Sequence, residues 1–127
     1  MPIHPTAIIH PSAELAADVD VQPYSVIEAR VQIGAGSVIG PHNVIGAGTI
    51  MGSNNRTYSG AQVGVVPQDL KHQIGMVGRT LLGDDNIVRE FVTISCSTVY
   101  DDSDKEAEKA TRIGNGCLFM ATCHVGH

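Results

Sequence analysis

Tryptophan is absent from this chain of 127 residues, which holds only two phenylalanines and three tyrosines. Whatever core it forms has to be filled mainly by aliphatic side chains. No run of about eighteen apolar residues occurs, so nothing reads as a membrane-spanning helix. The amino terminus lacks the basic-then-apolar layout of a secretory signal, and a cytoplasmic location is the expectation. The three cysteines, an odd number in a chain without an export signal, argue against a disulfide framework. Eight Lys and Arg stand against thirteen Asp and Glu, a net charge of −5, and the basic residues form no cluster. That balance speaks against a nucleic-acid partner.

What the chain does contain is an internal repeat. Ile3, Ile9, Leu15, Val21, Ile27, Ile33, Ile39, Ile45, Met51, Thr57 and Val63 follow one another at six-residue spacing, and all but Thr57 are apolar. A period of six matches neither the helical 3.6 nor the strand period of two, so it comes from a corner recurring at fixed intervals along a solenoid. The position two before the register residue is small or polar at Ala7, Ala13, Ser25, Ser37, Thr49 and Ala61. Gly34, Gly40, Gly46, Gly52 and Gly64 follow the register residue, and are expected to supply positive φ at the corners.

The register lapses over about residues 65–81, returns at Leu82, Val88 and Ile94, lapses again over about 99–111, and resumes at Ile113, Phe119 and Val125. Cys117 and Cys123 fall on the small interior positions and read as packing residues. The expectation is an all-β fold: a single domain over residues 1–127, a parallel β-helix of hexapeptide repeats with two excursion loops. Three hexamers make a coil of about eighteen residues. Sequence phase leaves the hand open, and hexapeptide solenoids resemble the left-handed kind, a departure from the right-handed crossover rule. Solenoids finish with a capping element, and the sequence stops two residues past a register valine, so the domain is expected to be incomplete at its carboxy-terminal end.

A prism with flat faces and an aliphatic interior has no internal pocket, which sends the search for function to its breaks and outer surface. The first break contains Gln68, Asp69 and Lys71. The mixed-sign run over residues 101–109 in the second break reads as a solvated loop. His124 and His127 flank register residue Val125; if that valine points inward, both histidines lie on the outer surface or at a corner. His4, His10 and His42 read as ordinary surface residues, and Glu90 as an outward strand residue.

The hexapeptide register, the segment Pro67-Gln68-Asp69-Leu70-Lys71, the strand Ile87-Val88-Arg89-Glu90-Phe91-Val92-Thr93-Ile94 and the ending His124-Val125-Gly126-His127 together resemble the acyl-carrier-protein-dependent UDP-N-acetylglucosamine O-acyltransferases, which begin lipid A synthesis. The resemblance runs in order along the whole chain. It implies a left-handed helix and transfer of a 3-hydroxyacyl group from acyl carrier protein to the sugar 3-hydroxyl. His127 then matches the general base, a role that suits an imidazole whose ordinary pKa is about 6.5. His124 matches a second histidine in the substrate cleft, and Asp69 and Lys71 match loop residues that bind substrate, with Gln68 beside them. A homotrimer with its site between subunits is implied, with no metal and no cofactor. Where the family usually has histidine or asparagine and then Arg-Gly-Thr, this chain reads Ser95-Cys96-Ser97-Thr98. Acyl-chain length, and the choice between carrier protein and coenzyme A as donor, stay open. Two other readings stand beside this one: a non-catalytic trimeric scaffold or inactive fragment, and a γ-class carbonic anhydrase. The last requires a third histidine on the preceding coil, which the chain lacks.

Overall fold

The computed structural model describes residues 3–99 and 109–127, so most of the second break, with nearly all of its charge run, lies outside the described residues. Sixteen strands of two to four residues succeed one another without a helix among the described residues. They stack into three parallel sheets. One holds six strands: Ile8–Ile9, Val26–Ile27, Val44–Ile45, Gln62–Val65, Thr93–Ser95 and His124–Val125. The other two hold five each. Ile9 pairs with Ile27, Ile27 with Ile45, Ile45 with Val63, Val63 with Ile94, and Ile94 with Val125. Each strand thus pairs with the one a full coil away and not with its sequence neighbour, and the architecture is a left-handed parallel β-helix.

The six-residue register is the core. Val21, Ile27, Ile33, Ile39, Ile45, Met51, Val63, Leu82, Val88 and Ile94 are buried, and Thr57, the polar member of the series, is buried with them. Burial of an aliphatic side chain of this size contributes roughly 1.5–3 kcal/mol, and the stacked register residues supply that term through the middle coils, while Ile3, Ile9, Leu15, Ile113, Phe119 and Val125 at the two ends are only partly buried. The position two before the register also points inward, at the corners, through Val19, Val31, Ala61 and Val92 and through the buried polar residues Ser25, Ser37, Asn43, Thr49, Asn55 and Asn86. Their polar groups serve the backbone. The Ser25 hydroxyl donates to the Gly40 carbonyl at 2.6 Å and accepts the Asn43 N–H at 3.1 Å, joining one coil to the next.

The glycines that follow the register residue have a different cause from the expected one. Positive φ falls three residues before the register position, and there the chain carries Tyr24, Arg30, His42, Asn54, Asp85, Phe91 and Thr122 as well as glycines. Gly34, Gly40, Gly46, Gly52 and Gly83 stand instead where the backbone of the next coil comes closest. A Cβ on Gly40 would lie 2.7 Å from the Thr57 carbonyl oxygen, and one on Gly52 would lie 2.8 Å from that of Gly83. Gly64, with φ 78°, is the exception that takes the left-handed conformation.

Where the first break begins, the strand runs on to Val65, which pairs with Ser95 across a register shift between Val63 and Val65. The chain then leaves the prism and returns at Thr80, which pairs with Thr49 on one side and Thr111 on the other. The excursion between them carries the residues that matter for the site.

Candidate functional site

The excursion is tied to the chain segment that follows Ser95. Ser97 exchanges two hydrogen bonds with Arg79: the Arg79 N–H donates to the Ser97 hydroxyl at 2.9 Å, and the Ser97 N–H donates to the Arg79 carbonyl at 3.1 Å. Glycine is required at position 78, since a Cβ there would collide with the Ser97 carbonyl. His72 is the central fastener. Its Nδ1 accepts the Val99 N–H at 3.0 Å, so Nε2 carries the proton and donates to the Met76 carbonyl at 3.0 Å. The Gln73 N–H adds a bond of 2.6 Å to the Val99 carbonyl. Val66, Leu70 and Ile74 remain exposed on the outside of the loop.

This fastening presents the Asp69 carboxylate to three partners. Oδ1 accepts the Lys71 N–H at 2.9 Å, Oδ2 accepts the Thr98 hydroxyl at 3.3 Å, and His127 Nδ1 stands 3.5 Å from Oδ2. The carboxyl is held below its ordinary value, first by the Lys71 N–H and further by the charge of His127, the Thr98 hydroxyl and the charge of Lys71, against an opposing effect of burial. His127 reaches this point because Val125 packs on the core beneath Ile94, which fixes the last strand and sends the chain round the corner beside the loop. Two residues far apart in sequence, both singled out from sequence, are thus brought together.

His124 projects from the strand His124–Val125 and shares a hydrogen bond of 2.8 Å with the Thr93 hydroxyl. Thr93 in turn lines a groove of about 430 Å³ together with Gln68, Gln62, Ser95, Cys96 and Met76. Gln68 therefore lines the groove directly, and His124 is linked to it through Thr93. Lys71 gives its backbone N–H to Asp69, and its side chain is exposed. Burial pushes the Cys96 thiol up, which makes it a poor nucleophile despite its place in the groove.

Glu90 stays apart from all of this, paired with Arg89 at 2.9 Å. His4 and His10 share local hydrogen bonds with Thr6 and Ser12, and His42 stacks on Tyr24 with ring centroids 5.2 Å apart. Three contributing residues escaped the sequence reading. Thr93 was within reach of it, because Ile94 stacked on Val125 requires Thr93 beside His124. Thr98 and His72 lie where the period lapses, and no pattern points to them. No group of three or more His, Cys, Asp or Glu able to hold a metal is present among the described residues. No helix among them is long and apolar enough to cross a membrane.

No family model matches the chain. It is 56% identical, over all of its 127 residues, to the acyl-[acyl-carrier-protein]–UDP-N-acetylglucosamine O-acyltransferase of Trichlorobacter lovleyi, of which it covers 46%. It is 57% identical over 125 residues to the protein of the same name from Cupriavidus taiwanensis, of which it covers 44%. The solved UDP-N-acetylglucosamine O-acyltransferase of Moraxella catarrhalis superimposes with a TM-score of 0.91 at 41% identity, over 100% of this chain and 47% of that one. The UDP-N-acetylglucosamine acyltransferase of Francisella novicida gives 0.89 at 33% identity, over 98% of this chain and 43% of that one. The chain spans about half the length of the curated relatives it matches.

Proposed function

We propose that this chain, related along its whole length to acyltransferases that its sequence already resembled, carries the general base and the substrate loop for moving a 3-hydroxyacyl group from acyl carrier protein to the 3-hydroxyl of UDP-N-acetylglucosamine, the first step of lipid A synthesis. The observation that carries this reading is the placement of His127 beside Asp69, at the base of a loop that also bears Gln68 and Lys71. In the reaction, a neutral His127 nitrogen takes the proton of the sugar 3-hydroxyl while that oxygen attacks the thioester carbonyl carbon. The tetrahedral intermediate expels the carrier thiolate, and the imidazolium returns the proton to sulfur, so the products are the O-ester and the free carrier thiol. No covalent enzyme intermediate and no metal are called for.

The remaining roles follow from functional-group chemistry. The exposed Lys71 ammonium suits the anionic diphosphate of the sugar nucleotide. The Gln68 amide donates and accepts within the groove, His124 contacts substrate, and Asp69 offers a free lone pair to a sugar hydroxyl. Acyl carrier protein is the donor in this reading. The working form is a homotrimer in the cytoplasm, residues 1–127 forming one β-helix domain, with the excursion of about residues 65–81 close to a neighbouring copy; cyclic symmetry is a common way to complete a surface site.

The test is acyl transfer from 3-hydroxyacyl carrier protein to UDP-N-acetylglucosamine by the purified protein and its His127→Ala variant. Loss of base catalysis lowers the rate by a factor of about 10² to 10⁴. Equal rates with alanine and histidine at position 127 would leave the scaffold reading in its place.

A further inference from the structure

We infer that His72 is a positioning residue for the substrate loop and holds it only as the neutral imidazole, so that protonation of this one side chain releases the first excursion from its docked place. The loss of substrate binding that follows rests on the acyl-transfer reading, while the docking itself stands without it.

The first support is how little else holds the tip of the loop. From Gln68 to Met76, His72 is the one buried residue, and the aliphatic side chains of Val66, Leu70 and Ile74 are exposed. Apolar burial therefore does not fasten the tip. Hydrogen bonds do, and they converge on Val99, whose N–H donates to His72 Nδ1 at 3.0 Å and whose carbonyl accepts the Gln73 N–H at 2.6 Å. The His72 N–H donates to the Asp69 carbonyl at 3.0 Å and Nε2 donates to the Met76 carbonyl at 3.0 Å, so the same residue ties the two halves of the tip together. The Arg79–Ser97 pair holds only the base of the excursion, and the bond from Thr98 to Asp69, at 3.3 Å, is the longest of the set.

The second support is that both ring nitrogens face backbone groups of fixed polarity. The Val99 N–H needs an acceptor and the Met76 carbonyl needs a donor, and a neutral imidazole with its proton on Nε2 supplies one of each. An imidazolium supplies two donors. Its Nδ1 hydrogen would point at the Val99 N–H, and Val99 is buried, so water does not replace the lost acceptor while the loop stays docked. The loop has to open to take up the proton. The released state thus binds one proton more than the docked state, and docking is complete at high pH and weakens as pH falls.

The one carboxylate on the described elements around the imidazole, that of Asp69, is already turned to the Lys71 N–H, the Thr98 hydroxyl and His127. Lys71 is exposed on the same loop, Arg79 and Lys109 stand towards the ends of the two breaks, where Ser97 meets their backbone, and the Cys96 thiol, which burial pushes up, is uncharged. Because the loop carries Gln68, Asp69 and Lys71, acid has two separable effects on acyl transfer. Protonating His127 removes the base and acts on kcat, whereas protonating His72 displaces contacts to the sugar nucleotide and acts on KM.

The test is amide hydrogen exchange of the substrate-free protein, read by nitrogen-15 NMR between about pH 8 and about pH 5.5 and normalised to intrinsic rates, with the His72 ring nitrogens followed in the same samples. In the wild type the protection of the Val99 and Gln73 amides is expected to fall in acid by up to about tenfold per pH unit, the limit for one proton, while Val63 and Ile94 in the core stay protected. His72→Asn keeps an oxygen where Nδ1 stood and does not titrate, so its protection is expected to stay level. Protection that is unchanged in the wild type, or that falls equally in His72→Asn, overturns the inference. Should His72→Asn fail to fold or to dock its loop, the wild-type data decide alone, and a His72 ring that becomes charged while the Val99 amide stays protected overturns it. In acyl transfer the KM for UDP-N-acetylglucosamine is expected to rise in acid for the wild type and not for His72→Asn; a parallel rise in both overturns the link to substrate binding. Because exchange needs no substrate, a wild-type protein that transfers no acyl group refutes the proposed reaction and leaves the exchange data to decide this inference.

Discussion

Asn55 and Asn86 occupy the same corner one coil apart, and Asn55 Oδ1 accepts the Asn86 N–H at 3.0 Å. Asn55 Nδ2 donates to the Gly83 carbonyl at 2.7 Å, Asn86 Nδ2 to the Gly114 carbonyl at 2.9 Å, and Asn86 Oδ1 accepts the Cys117 N–H at 2.8 Å. Below them the Ser37 hydroxyl accepts the Asn55 N–H at 3.2 Å. The corner peptide groups lie outside the strand ladders and away from water, and this column of side chains gives them partners.

Asn55→Ala leaves the Gly83 carbonyl and the Asn86 N–H without their bonds inside the prism. Each unsatisfied buried group costs about 1–3 kcal/mol, so a loss of roughly 2–6 kcal/mol is expected in urea unfolding. Asn86→Ala is expected to cost less, because the two residues whose backbone groups it abandons, Gly114 and Cys117, are exposed and partly buried. A change under about 0.5 kcal/mol at position 55 would show that the column is not structural.

Ile39 is fully buried, and Gln32, beside Ile33 in its strand, is exposed. An aspartate at position 39 has no partner in an aliphatic column and is expected to abolish cooperative folding, because an unpaired buried charge is among the costliest changes known. Gln32→Asp is expected to alter stability by about 0.5 kcal/mol or less. Thermal melts that rank the two equally would contradict the register.

How much of this was legible in the sequence depends on periodicity. Ile3 through Val63 gave the inward residues, the coil length and the parallel stacking, because a solenoid repeats one environment and so repeats one residue type. The reason for Gly40 was not legible, since close approach of a neighbouring coil and positive φ both select glycine and sequence does not separate them. The positive φ itself fell on Tyr24, His42 and Phe91, residue types that carry no turn signal. At the site, Asp69 and His127 were singled out through a resemblance, but their contact depends on the path of the excursion, which His72 and Thr98 hold by individual hydrogen bonds that leave no period behind.

The glycine distinction can be checked directly. Gly40→Ala would put a methyl carbon 2.7 Å from the Thr57 carbonyl oxygen and 2.9 Å from the Tyr58 carbonyl carbon, both backbone atoms that cannot swing aside. Overpacking of this kind costs about 1–3 kcal/mol. Gly114 also follows a register residue, but nothing lies within 4 Å of a Cβ built there, and Gly114→Ala is expected to be neutral within about 0.5 kcal/mol. Equal destabilisation at the two positions in urea unfolding would point back to a conformational cause.

Acid should release the Asp69 contacts in a defined direction. The carboxyl is held below its ordinary value of 3.8, first by the Lys71 N–H and then by His127, Thr98 and Lys71. A group whose folded pKa is depressed stabilises the fold in full above its unfolded pKa, and that contribution disappears as pH falls through the folded value. The difference in urea midpoint between wild type and Asp69→Asn is therefore expected to be present at about pH 5 and to shrink below about pH 4. Asparagine keeps an oxygen to accept the Lys71 N–H but carries no charge, so the part that vanishes in acid reports the ionised form. A midpoint difference that persists unchanged down to about pH 2 would mean that shape, and not charge, holds the loop against His127.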